Sequence, residues 1–303
     1  MAGICEGRVV IVTGSGRGIG RGHALEFARQ GAKVVVNDLG AEPDGSGSSA
    51  GPAGEVVDTI RTLGGEAIAN GDDVSDFDAA GRLVQSAIDA FGGLDVLVCN
   101  AGILRDRMLV SMSEAEFDAV IKVHLKGTFA PMHHAANYWR NRVKAGETND
   151  ARIINTSSAA GLFGNVGQSN YAAAKAGIAA MTRVASAELG NYGVTANAIA
   201  PIARTRMTEA LFPDAMATPT DGFDAMSADN VAPFVVWLGS PDSSDVTGQV
   251  FEVDGGKISV ATGWQHGPEI NHGDRWEPAD IGPAVRDLLA KATPNVPVIG
   301  SRG

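Results

Sequence analysis

Residues 8–20 constrain the fold most. The apolar run RVVIV leads through Thr13-Gly14-Ser15-Gly16-Arg17-Gly18-Ile19-Gly20 into a segment whose apolar residues recur at helical spacing. A short run with no polar alternation predicts a strand covered on both faces. The same beat then repeats: expected strands at 33–37, 66–69, 94–98, 152–156, 195–200 and 249–253 alternate with expected helices at 20–30, 55–63, 77–91, 113–143, 171–192 and 229–238. Such alternation predicts parallel strands with crossover helices on both faces, a doubly wound, Rossmann-like α/β sheet.

A chain of 303 residues, 44% hydrophobic and 19% charged, can bury one large core of this kind. Residues 1–256 are expected to form the catalytic domain. The remainder, 257–303, holds an amphipathic stretch at 281–292 and is expected to be an appendage or subunit contact. Segment 40–54, rich in Gly, Ser and Pro, is expected to be a mobile surface loop. Segment 203–229 mixes Met207, Leu211, Phe212, Met216, Phe223 and Met226 with prolines and is expected to act as an apolar lid.

The net charge of −11 argues against nucleic acid or an anionic membrane as partner, because the mean field repels phosphate. The first residues lack a basic stretch followed by a long apolar core, and no run approaches the roughly 20 apolar residues of a membrane span. Cys5 and Cys99 lie far apart, without the spacing of a redox or metal motif. A reducing compartment, by default the cytoplasm, is expected.

The glycine turn carries the first functional expectation. Placed between a strand and a helix, its backbone N–H groups can hold a pyrophosphate at the helix N-terminus, although Ile19 takes the place of the third glycine in G-x-G-x-x-G. Asp38, at the end of the second strand, can accept hydrogen bonds from both ribose hydroxyls and repel a 2′-phosphate, which selects NAD over NADP. Alternatively, Asp38 is a loop residue without a ligand, and Arg17 in the turn can approach a 2′-phosphate.

Tyr171 and Lys175 stand at i and i+4, one helical turn apart on one face. A tyrosine with its ordinary pKa of about 10 is a poor base at neutral pH; Lys175 and a cationic nicotinamide together can lower it. Taken alone, the pair also fits an ordinary half-exposed helix.

The joint order of motifs is more specific. From about residue 7 to 256 the chain resembles the short-chain dehydrogenase/reductase family: TGSGRGIG at 13–20, Asp73-Val74, Asn100-Ala101-Gly102, Ser158, Tyr171-x-x-x-Lys175, and Pro201 after a strand. The resemblance implies Tyr171 as general acid/base, Ser158 on the substrate oxygen, and Lys175 on the nicotinamide ribose. It further implies that Asp73 and Val74 contact adenine, that Asn100, Ala101 and Gly102 line the cofactor cleft beside Gly14 to Gly20, Asp38 and Leu39, and that Ile202 and Thr205 lie near the carboxamide. His124 stands where the family usually has an asparagine; it is either the fourth catalytic member or a satisfied buried histidine.

His124, the run 101–107 and the run 201–207 together resemble the (3R)-hydroxyacyl-CoA dehydrogenase branch, found as a unit of peroxisomal multifunctional enzyme type 2 and in bacterial relatives. That branch is known also for 17β-hydroxysteroid activity. It implies a (3R)-3-hydroxyacyl-CoA or steroid substrate, a role in lipid or sterol catabolism, and a homodimer or homotetramer. Arg105, Arg107, Arg204 and Arg206 are candidates for the coenzyme A phosphates or are solvated surface groups. The rival readings are an NADPH-dependent 3-oxoacyl carrier-protein reductase and a non-catalytic dinucleotide-binding regulator. No metal is expected, since adjacent His133 and His134 face different ways on a helix and lack a third ligand.

Overall fold

The computed structural model describes residues 3–48, 51–205, 209 and 216–301. Eight strands form one sheet: β1 (Val9–Thr13), β2 (Lys33–Asn37), β3 (Glu66–Asn70), β4 (Val96–Cys99), β5 (Ala151–Thr156), β6 (Val194–Ile202), β7 (Val250–Asp254) and β8 (Lys257–Val260). Their order is β3-β2-β1-β4-β5-β6-β7-β8, with every pairing parallel except β7 with β8. The expected doubly wound sheet is therefore present.

The strands bury both faces, and their residues divide by the two-residue period of the pleat. Val10, Val12, Val34, Val36, Val96 and Val98 enter one core, together with α1 (Gly18–Arg29), α2 (Gly51–Thr62) and α8 (Ala232–Gly239). Val9, Ile11, Val35, Leu97 and Ile153 enter the other, with α3 (Phe77–Phe91), α5 (Gly127–Lys144) and α7 (Ser169–Leu189). At about 1.5–3 kcal/mol for each large aliphatic side chain removed from water, this double burial is the main term holding the sheet. β1 pairs with β2 on one side and β4 on the other, so chain direction around the sheet reverses there. A crevice consequently opens beyond the carboxyl ends of β1 and β4.

Two expectations are corrected. The helix expected over 113–143 is divided into α4 (Glu114–Ile121), a π-helical turn (Lys122–Lys126) and α5. Gly127 N–H donates to the carbonyl of Lys122, the five-residue spacing of a π turn. The 40–54 loop is shorter and anchored: α2 begins at Gly51, Leu104 N–H donates to Pro43 O at 3.1 Å, and Arg105 Nε donates to Asp44 O at 2.6 Å.

The domain boundary at 256 falls in the turn of the β7–β8 hairpin. Gly255, at φ +55°, permits that turn, and β8 continues the sheet as an edge strand. The chain leaves the sheet only after Val260; α9 (Pro278–Lys291) buries none of its residues. The segment returns at its end, where Ile299 bridges Asn165. Of the expected lid, Met207, Leu211, Phe212 and Arg206 lie outside the described residues.

Candidate active site

The glycine turn is shaped by close approaches. A Cβ at Gly14 would lie 2.7 Å from Ala101 Cα, at Gly16 2.8 Å from Asp38 Oδ2, and at Gly20 2.4 Å from Asn100 Nδ2. Gly20 thus supplies the close packing that the motif lacks at Ile19, whose side chain lies against the core. Gly18 adopts φ +53°, the left-handed region open to glycine. Arg17 sits at the N-cap of α1 with no side-chain cap, leaving first-turn N–H groups directed at the crevice. Such a cradle fits a pyrophosphate.

Several expected cofactor residues hold this cradle in place. Ser15 is fully buried, and its hydroxyl donates to Val12 O at 2.7 Å. Asn100 Nδ2 donates to Thr13 O and Gly14 O at 3.1 and 3.0 Å. Thr13 Oγ1, which the sequence reading missed, accepts from Asn100 N and Ala101 N at 2.9 and 3.1 Å. Asp73 Oδ1 accepts from Ser75 N at 2.8 Å and fixes the loop after β3, while Val74 is buried against Gly127.

Asp38 is held with unusual definition. Its Oδ2 accepts from Gly16 N and its Oδ1 from Gly40 N, both at 2.7 Å, so the carboxylate is fixed against the turn and each oxygen keeps further acceptor capacity. Leu39 beside it is 38% exposed. On the other wall, Pro201 and Ile202 end β6, and Thr205 Cγ2 lies 3.7 Å from where a Gly18 Cβ would stand.

Ser158, Tyr171 and Lys175 converge at the end of β5. Ser158 is the N-cap of α6 (Ala159–Phe163), accepting from Ala160 N at 3.2 Å, and its side chain acts on the Tyr171 phenol, lowering its pKa. Lys175 is buried, its Nζ donating to Thr156 O at 2.6 Å and lying 5.5 Å from the Tyr171 ring centroid. Burial lowers the ammonium to about 7. Without the dinucleotide, burial pushes Tyr171 up to about 12, the Ser158 side chain opposes this, and Asp106 adds to it; the expected lowering by Lys175 together with a cationic nicotinamide concerns the loaded site. In the protein chain alone Tyr171 is a phenol at neutral pH, suited to donate a proton.

His124 lies in the π turn, 2% exposed, its ring edge-on to Tyr171. Nε2 stands 2.7 Å from Ile103 O and 3.1 Å from Ile103 N. The shorter contact favours a proton on Nε2, leaving Nδ1 a buried acceptor with no partner among the described residues. Burial, reinforced by the charge of Lys175, lowers its pKa to about 3, so the ring is neutral. Gly102 is required beside it, since a Cβ there would be 2.3 Å from His124 Cε1.

Three further residues support the site. Asn170, fully buried, donates from Nδ2 to Arg105 O and Glu116 O at 3.0 and 3.2 Å. Gln168 Nε2 donates to Asp106 Oδ2 at 2.7 Å, and burial raises the Asp106 carboxyl. Only the nearness of Asn170 and Gln168 to Tyr171 could have marked them in the sequence. The candidate phosphate-binding arginines are already engaged: Arg105 with Asp44, Arg107 with Glu116 and Arg204 with Asp224.

Comparison with known proteins shows what the chain resembles. Residues 8–215 match the family described as short chain dehydrogenase. The chain is 44% identical over 300 residues to the hydroxyacyl-CoA dehydrogenase ChsB1 of Mycobacterium tuberculosis, covering 95% of this chain and 90% of that protein. It is 43% identical over 289 residues to the mouse peroxisomal multifunctional enzyme type 2, covering 95% of this chain but 35% of the longer enzyme. A crystal structure of a short chain dehydrogenase from Mycobacterium avium superposes with TM-score 0.90 at 61% identity, covering 99% of this chain and 100% of that one.

Proposed function

The chain belongs to the short chain dehydrogenase family and is an oxidoreductase acting on CH–OH groups, and we propose that it interconverts a (3R)-3-hydroxyacyl-CoA and its 3-oxo thioester with NAD. The observation that carries this reading is the Ser158–Tyr171–Lys175 cluster in a chain 44% identical to a hydroxyacyl-CoA dehydrogenase along nearly its whole length. A hydroxysteroid is the second substrate of the same carbinol chemistry.

The fixed Asp38 carboxylate supports NAD: its remaining acceptor capacity suits two ribose hydroxyls, whereas a 2′-phosphate would meet a negative charge held by two N–H groups. When bound, the oxidised dinucleotide supplies a hydride acceptor and a positive charge on its nicotinamide ring. The chain's residues then divide the remaining work. The first turn of α1 with Gly14, Gly16 and Gly18 holds the pyrophosphate, Ser158 orients the carbinol oxygen, and Tyr171 takes the hydroxyl proton in oxidation or returns it in reduction. Lys175, its ammonium lowered to about 7, sits where it can share its proton near neutral pH.

Residence in the cytoplasm is part of this reading. Cys5 and Cys99 are both buried and unpaired, and among the described residues no helix is long and apolar enough to cross a membrane. Assembly as a homodimer or homotetramer is supported by Phe129 and Val184, 45% and 55% exposed on the long helices α5 and α7.

The deciding experiment measures dinucleotide reduction with (3R)- and (3S)-3-hydroxybutyryl-CoA and a 17β-hydroxysteroid, each with NAD and NADP. Oxidation of the R thioester with NAD is expected to dominate. Preference for NADP would favour the carrier-protein reductase reading, and turnover of the steroid alone would move the substrate to that class.

A further inference from the structure

The loop between the two catalytic hydroxyls is clamped from both sides. On one side Arg107 N–H donates to Gly167 O at 2.8 Å, Arg107 bridges Gln168, and the Met108 sulfur stands 4.0 Å from where a Gly167 Cβ would be. On the other, the returning C-terminal segment pairs with it: Val166 N–H donates to Ile299 O at 3.0 Å and Ile299 N–H to Gly164 O at 3.1 Å. Gly164, at φ +81°, ends the helix that Ser158 begins, and a Cβ there would meet Val298 Cγ1 at 3.3 Å. A hydrogen-bonded line runs inward from the same loop, Asn165 Nδ2 to Gln168 Oε1 at 2.9 Å and Gln168 Nε2 to Asp106.

This arrangement leaves apolar side chains uncovered along one rim. Met108, Leu109, Val110, Val166, Val298 and Ile299 are 55, 75, 94, 44, 44 and 40% exposed. The rim comes from three separate stretches of chain and borders the loop that joins Ser158 to Tyr171. A ligand held at those two residues and extending along this loop would meet the rim with its apolar portion.

We propose that residues 298–301 form one wall of the substrate cleft, with Val298 and Ile299 selecting the length of the acyl chain. The inference rests on the acyl-thioester reading above. Val298→Ser trims the apolar surface while keeping the backbone bridge, and Ile299→Pro removes the N–H that Gly164 accepts. Neither residue belongs to the buried core, so the fold is retained in both variants.

The test compares kcat/KM for 3-hydroxydecanoyl-CoA and 3-hydroxybutyryl-CoA in wild type and both variants, with subunit number followed by sedimentation. The long-to-short ratio is expected to fall about tenfold, the effect of uncovering roughly two methylenes, with the loss in KM. An unmoved ratio, including an equal loss on both substrates, overturns the inference alone. A changed subunit number with that ratio unmoved assigns the rim to a second copy and also overturns it. A wild-type enzyme that oxidises neither thioester refutes the acyl-thioester reading and removes this inference with it.

Discussion

The ring of His124 meets that of Tyr171 edge-on, centroids 5.1 Å apart and planes at 88°. The imidazole is neutral and packed, its Nε2 against Ile103 and its Cε1 against Gly102. His124→Ala is expected to cost about 2–4 kcal/mol of stability, from the cavity and the unpaired Ile103 backbone, measured by denaturant unfolding. Because its pKa is about 3, the pH–rate profile between neutral and alkaline pH should keep its shape. A lost limb in that profile would instead place the ring in proton transfer.

Tyr171→Phe removes the phenol that the proposed reaction uses to exchange the carbinol proton. Turnover is expected to fall about 10²–10⁴-fold while dinucleotide binding, followed by fluorescence, persists. Since the phenol stands at about 12 in the protein alone, ultraviolet titration of tyrosinate should find this residue ionising at lower pH once NAD is added. Equal titration with and without NAD would contradict activation by the nicotinamide charge.

Asp38→Asn keeps the shape of the carboxylate and removes its charge. The NAD-to-NADP ratio of kcat/KM is expected to fall about tenfold or more, a change of about 1.4 kcal/mol in relative recognition. If Arg17 already accommodates a 2′-phosphate, the ratio will barely move.

His23 is fully buried in α1, with neither ring nitrogen paired among the described residues, and burial lowers its pKa to about 3. Below the unfolded value of 6.5 the unfolded chain binds a proton that the folded chain refuses. Stability should therefore fall as pH drops from 6.5 towards 3, by up to about 1.4 kcal/mol per pH unit from this residue, with His124 adding a like term. His23→Leu is expected to flatten that slope in urea titrations at pH 5 and 7 (roughly these values, chosen to span the start of the window).

The sheet was legible because the burial pattern is written in the strands themselves: Val9 to Val12 are uniformly apolar, and uniform apolarity requires two covered faces. Ser158, Tyr171 and Lys175 were legible as a set through their order. What escaped depends on tertiary partners. Nothing in Lys257–Val260, exposed throughout, distinguishes a strand from a tail until it pairs with β7. The 40–48 loop looked free because its anchors, Leu104 and Arg105, lie far along the chain. The dehydration that raises the Tyr171 phenol was not legible either, because spacing shows the neighbouring ammonium but not burial.

The turn at Lys122–Lys126 acts as a phase shifter. One extra residue per turn rotates everything downstream by about 100° relative to an uninterrupted α-helix. Excising a single residue there would straighten the rod and swing either the α4 or the α5 face out of its seat, carrying His124 away from the phenol. A substitution in this turn thus costs packing at one point, whereas a deletion displaces a whole helix, so this stretch of chain must preserve its length as well as its side chains.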